Sequence, residues 1–122
     1  ESFATSAPNA FPPERDEILR RTAIIINMHQ DNHRFSEPLR IAITAANGMA
    51  LISETLDDPY PLEPDVDFIQ VQKDGLMDAL KSLWSQQQKI KSLGNNLHNK
   101  LCKQFRFQTN IINAVKECFG LV

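Results

Sequence analysis

A chain of 122 residues with 42% apolar and 23% charged side chains and a net charge of −2 has the balance of an ordinary folded domain. That length fits one domain with its own core. Its apolar runs, such as Ala23-Ile24-Ile25-Ile26, fall far short of the roughly 20 residues that cross a bilayer. The glycines are scattered at positions 48, 75, 94 and 120, which excludes both familiar phosphate-cradling loops.

In chain order, residues 1–13 are small, polar and Pro-containing, and read as a disordered N-terminal segment. Pro13 suits the first turn of a helix, and Glu14, Asp16 and Glu17 favour its positive end. Ile18, Leu19, Thr22, Ile25 and Ile26 then form an apolar stripe that predicts a first helix running to about Met28. A second helix is expected from Ser36 as cap and Pro38 in the first turn to about Leu56. Over the same stretch Ile41, Ile43 and Ala45 alternate into Asn47-Gly48 and Ala50 and Ile52 alternate out, the pattern of a β-hairpin. The stretch from Asp57 to Pro64 holds three prolines and reads as an extended, solvated acidic connector.

The last half is dominated by a helical repeat. Leu76, Leu83, Ile90, Leu97, Ile111 and Cys118 recur every seven residues, interrupted only by Gln104. Leu80, Leu101 and Val115 occupy the companion seam. A third helix begins near Asp65 or Asp67, although DFIQVQ has strand character that shifts the start toward Gly75. Gly94 on the seam, followed by Asn95 and Asn96, reads as a stop and a new cap, giving helices near 66–93 and 96–120. The expected fold is therefore all-α, an antiparallel four-helix bundle forming a single helical domain over 14–122. The alternatives are an α+β fold with a hairpin around Asn47-Gly48, or a long C-terminal coiled coil.

Charge is unevenly spread. Residues 1–72 hold five arginines and twelve acids, net −7, whereas residues 73–122 hold eight cations and three acids, net +5. From Ala79 to Lys116 there is no acid at all. Taken as one continuous helix, that segment places Lys81, Lys89, Lys100, Lys103 and Arg106 on one side, an arrangement able to hold nucleic-acid phosphates or another anionic polymer. The scarcity of Arg and of interleaved aromatics argues against specific recognition.

Signals for chemistry are weak. His29 and His33 lie one helical turn apart with Asp31 between, yet lack the glutamate of a metalloprotease motif, so no metal site and no cofactor are expected. No nucleophile arrangement is visible, and no enzyme is expected. On one helix Cys102 and Cys118 would lie ~24 Å apart, too far for a disulfide, so both thiols are expected free, which fits a reducing compartment. Leu80, Trp84, Phe105, Ile112 and Phe119 are the apolar anchors expected in a core or a protein interface. The sequence thus points to a soluble, non-catalytic interaction or assembly module whose partner is another protein, a second copy of itself included. Binding of an anionic polymer is the second reading, and a secreted helical signalling protein or effector the third.

Overall fold

The computed structural model describes residues 13–29, 34 and 37–120. It overturns the all-α bundle: the described residues form a three-stranded parallel sheet with helices against both faces. The first helix, α1 (Glu14–Arg20), stops well short of Met28, and Ile24–Asn27 is a strand, β1. Three consecutive β-branched residues are stiff at χ1 and favour extended backbone over helix. A parallel strand packed on both faces is also apolar at every position, so its residues fall on any helical spacing one tests.

The second predicted helix is a helix followed by a strand. Helix α2 (Pro38–Ala46) ends in a Schellman turn, with the Gly48 N–H donating to Ala45 C=O and the Met49 N–H to Thr44 C=O. Gly48 takes the left-handed φ of +64° that this turn requires. The chain then enters β2 (Ala50–Glu54), whose residues are all buried. The Asn47-Gly48 signal was therefore a turn, but between helix and strand rather than within a hairpin. β1 and β2 run parallel with Ile25 opposite Leu51, and β2 pairs in parallel with β3 (Ile69–Val71) through Ile52 opposite Ile69.

Side chains alternate across the sheet and define two cores. On one face Leu51 joins Ile41 and Ala45 of α2, Leu56, Leu62 and Phe68 from the chain between β2 and β3, and Leu97. On the other face Ala50 and Ile52 meet Leu76, Leu80, Leu83, Ile90 and Leu93. These come from α3 (Leu76–Trp84) and α4 (Gln87–His98), preceded by a short 3₁₀ turn at Lys73–Gly75. The strand character of DFIQVQ is real, and the helix starts beside Gly75 as that signal implied.

The continuous C-terminal rod does not form either. The chain breaks at Ser85–Gln86, where the Ser85 hydroxyl and the Gln86 amide both donate to the Ser82 carbonyl and compete with the helix backbone. Gly94, read as a stop, lies inside α4, where it lets the helix touch the turn before β2. A Cβ there would sit 2.1 Å from the Gly48 carbonyl oxygen. Beyond α4 a π-helical stretch (Asn99–Gln104) leads to α5 (Phe107–Cys118). Of the seven-residue seam, Leu76, Leu83, Ile90 and Leu97 are buried, while Ile111 and Cys118 are exposed.

The acidic connector is not wholly solvated: Leu62 within it is buried, and so is an acid shortly after it. Asp67 is buried; its carboxylate accepts the Glu63 N–H at 2.9 Å and lies 3.4 Å from Lys100 Nζ. The expectations for residues 1–12, for Asp31 and His33 as residues of no metal site and for the Ser36 cap lie outside the described residues.

Candidate functional site

Helix α5 is the feature that the fold leaves unused. Every described side chain on its twelve residues is exposed. Ile111, Ile112, Val115 and Phe119, just past its end, recur at the spacing of one helical side, with exposures of 46%, 54%, 47% and 74%. An isolated helix of about 12 residues is marginal in water, so an apolar side of this kind is normally stabilised by packing. Cys118 is exposed on the same helix, and Cys102 is half-buried beside the first core; both are free thiols.

The five expected anchors divide. Leu80 is buried in the second core, and Phe105 is half-buried with its ring edge-on to Tyr60 at 5.9 Å. Trp84, Ile112 and Phe119 are exposed. The five cations do not share one helix: Lys81 is on α3, Lys89 on α4, Lys100 and Lys103 on the π-helical stretch, and Arg106 on the link to α5. Lys100 is also committed, at 2.7 Å from Glu63 and close to Asp67, with its side chain 16% exposed. The hydrogen bond to Glu63 raises its pKa above the ordinary lysine value; burial opposes this and the Asp67 charge adds to it.

A second cluster, invisible to a helical reading, sits at the carboxyl ends of β1 and β2. Asn27 and Ser53 are fully buried there, and the Asn27 amide donates to Ser53 Oγ at 3.0 Å. Arg40 on α2 donates to Asn27 Oδ1 at 2.8 Å and pairs with Glu37 at 2.7 Å. The His29 N–H donates to the buried Glu54 carboxylate, and its ring nitrogen lies 3.3 Å from the Thr55 carbonyl. Among the described residues no buried side-chain polar atom lacks a partner. The cluster thus ties the ends of two strands to the start of α2. Its sequence signal was slight: a polar residue, Asn27 or Ser53, ending each apolar run.

Among the described residues no three His, Cys, Asp or Glu side chains gather to hold a metal ion, and no helix is long and apolar enough to cross a membrane. An open groove of about 380 Å³ lies between α1 and α2, but Arg15 and Arg20 on its wall are paired with Asp16 and Glu17. No family model, curated protein or solved structure matches this chain.

Proposed function

We propose that the chain is a non-catalytic module that docks another protein, a second copy of itself included, through α5. The observation that carries this reading is the exposed stripe of Ile111, Ile112, Val115 and Phe119 on a helix none of whose described side chains joins either core. Each of these side chains keeps about half or more of its surface in water. Covering the remainder is worth about 1 kcal/mol per side chain, about 4 kcal/mol in sum, to which the apolar surface covered on the partner adds before ordering costs are met. Aromatic and branched apolar residues on a short solvent-facing helix suit insertion into a groove of a partner.

The test is the double variant Ile112→Ser/Phe119→Ser, compared with the parent by thermal melting and by sedimentation velocity over a wide concentration range. The reading expects an unchanged melting temperature and a loss of concentration-dependent assembly. A fall in melting temperature as large as that of a core substitution would place α5 in the fold and remove the proposal. Assembly that survives the double change would do the same.

The carboxyl edge of the sheet favours a second reading. Open parallel α/β sheets take ligands outside the carboxyl ends of their strands. Here that edge carries Arg40, Glu37 and His29 around the Asn27–Ser53 pair, a setting suited to a small polar molecule. Saturating such a ligand would raise the melting temperature of the parent and not of Arg40→Ala.

A further inference from the structure

The sheet separates the charges of this chain. On the face of the first core the connector and the residues after it carry Asp57, Asp58, Glu63, Asp65 and Asp67 without a cation. On the other face α3 and the first half of α4 carry Lys81, Lys89 and Lys91, and no acid occurs from Ala79 to the end of α4. Among the described residues Lys100 is the one cation of the acid-free stretch in ion-pair contact with an acid. The acidic half of the chain therefore leaves the lysines of α3 and α4 uncompensated.

These three lysines share a surface because the chain folds back at Ser85–Gln86. α3 turns Leu80 and Leu83 into the second core, and α4 turns Ile90 and Leu93 into it. Lys81 follows Leu80, about 100° round the helix, and Lys89 and Lys91 leave α4 on either side of Ile90. All three are exposed. The Gln87 amide donates to the Trp84 carbonyl at 3.1 Å, which ties the first turn of α4 to the last turn of α3. Lys91 starts only about 6 Å along α4 from that tie, and Lys81 lies one turn behind it on α3. The acids nearest in sequence, Asp74 and Asp78, stand at the start of α3, where the helix dipole favours them, away from this elbow.

The side chains between the cations decide the partner. Ser82, Ser85, Gln88, Ser92 and Asn95 are exposed there and supply hydroxyl and amide groups. Such donors, with lysine as a point charge, suit phosphate oxygens and read no base. Apart from Met77 and Trp84, the exposed side chains of the two helices are polar. That is too little apolar surface for a membrane anchor or for the centre of a protein interface.

We propose that the α3–α4 elbow binds the phosphodiester backbone of a nucleic acid, without reading its sequence, through Lys81, Lys89 and Lys91. The acidic connector on the opposite face repels the same polymer, so the chain meets it in one orientation. The surface shares no residue with α5, and failure of one leaves the other standing.

The experiment uses the full chain and a fluorescently labelled DNA duplex of mixed sequence, with binding followed by anisotropy. Trp84, the single tryptophan of the chain, is about half exposed next to Lys81 on α3, so its emission reports contact at the elbow. Three neutralised phosphates give a slope of log K against log salt of about −2.7, a roughly 40-fold loss of affinity from about 50 to about 200 mM salt. A duplex of different sequence should give the same slope, and a single strand a slope of about −2. Lys81→Gln, Lys89→Gln and Lys91→Gln should each reduce the duplex slope by about 0.9 with unchanged melting curves. Lys103→Gln, outside the elbow, should leave it as it is. No binding at about 50 mM salt overturns the proposal, as does a slope that Lys103→Gln reduces as much as Lys89→Gln. A change in Trp84 emission with phosphatidylserine vesicles or polyglutamate, and none with the duplex, also overturns it and assigns the elbow to a lipid surface or an acidic protein.

Discussion

Replacing Gly94 by alanine should destabilise the protein, although alanine is the better helix former. An added Cβ would lie 2.1 Å from the Gly48 oxygen, 2.9 Å from the Gly48 carbonyl carbon and 3.3 Å from the Met49 carbonyl carbon. All three atoms are backbone, held by the turn that ends α2, so no side chain can swing aside. Either α4 or the turn must retreat by more than an ångström, and both carry buried residues: Ile90, Leu93 and Leu97 on one side, Met49 and Ala50 on the other. Overpacking of this kind costs typically 1–3 kcal/mol, roughly, and a backbone clash belongs at the upper end. The helix-propensity gain of alanine over glycine returns about 1 kcal/mol. The net loss is about 2 kcal/mol, which for a domain of this size lowers the melting temperature by roughly 8 °C. Circular dichroism melts of Gly94→Ala measure it. Gly75→Ala is the control: its Cβ meets only Val71 Cβ at 3.6 Å, ordinary contact, and its φ is negative. A Gly94→Ala variant as stable as the parent would refute the close crossing of α4 over the turn before β2.

Two further outcomes follow from buried polar groups. Asn27→Ala leaves Ser53 and Arg40 without their shared partner at the carboxyl end of the sheet; urea unfolding should show a loss of about 2 kcal/mol, and a loss below about 0.5 kcal/mol would contradict the network. Lys100 has a raised pKa in the fold, so the stability it adds is complete below the unfolded lysine value near about 10.4 and fades as pH rises through the higher folded value. The melting-temperature gap between the parent and Lys100→Gln should therefore hold up to about pH 10 and narrow as the pH rises through the higher folded value; a gap that does not narrow in strong alkali would show that Lys100 does not act through its charge.

The parts of the fold legible in the sequence are those where burial has one period. Leu76, Leu80 and Leu83 on α3, and Ile90, Leu93 and Leu97 on α4, bury one side of each helix, and helical spacing finds them. The proline-rich connector and the strand character before Gly75 were also readable. β1 was not, because a strand covered on both faces has no alternation to detect. β2 was merged with α2 for a related reason: all five of its residues are buried, so the apolar stripe ran straight through the Schellman turn. Gly94 misled because glycine marks both a helix stop and a close approach of backbones, and only the position of Gly48 tells them apart. The exposed stripe of α5 was legible as apolar but not as unburied, since the same heptad positions continue from the buried part of the seam. The polar cluster around Asn27 went unseen because its members come from three separate segments brought together by parallel pairing.

The two-faced parallel α/β core is built without the described side chains of α5. The most direct measurement is a residue-resolved amide exchange map of the chain as a dilute monomer. The slowest exchange is expected at Leu51, Ile52 and Ser53 of β2 and at Leu93 and Leu97 of α4, with the Ile111–Cys118 amides of α5 exchanging near the free rate. Protection of α5 equal to that of β2 in the monomer would contradict it.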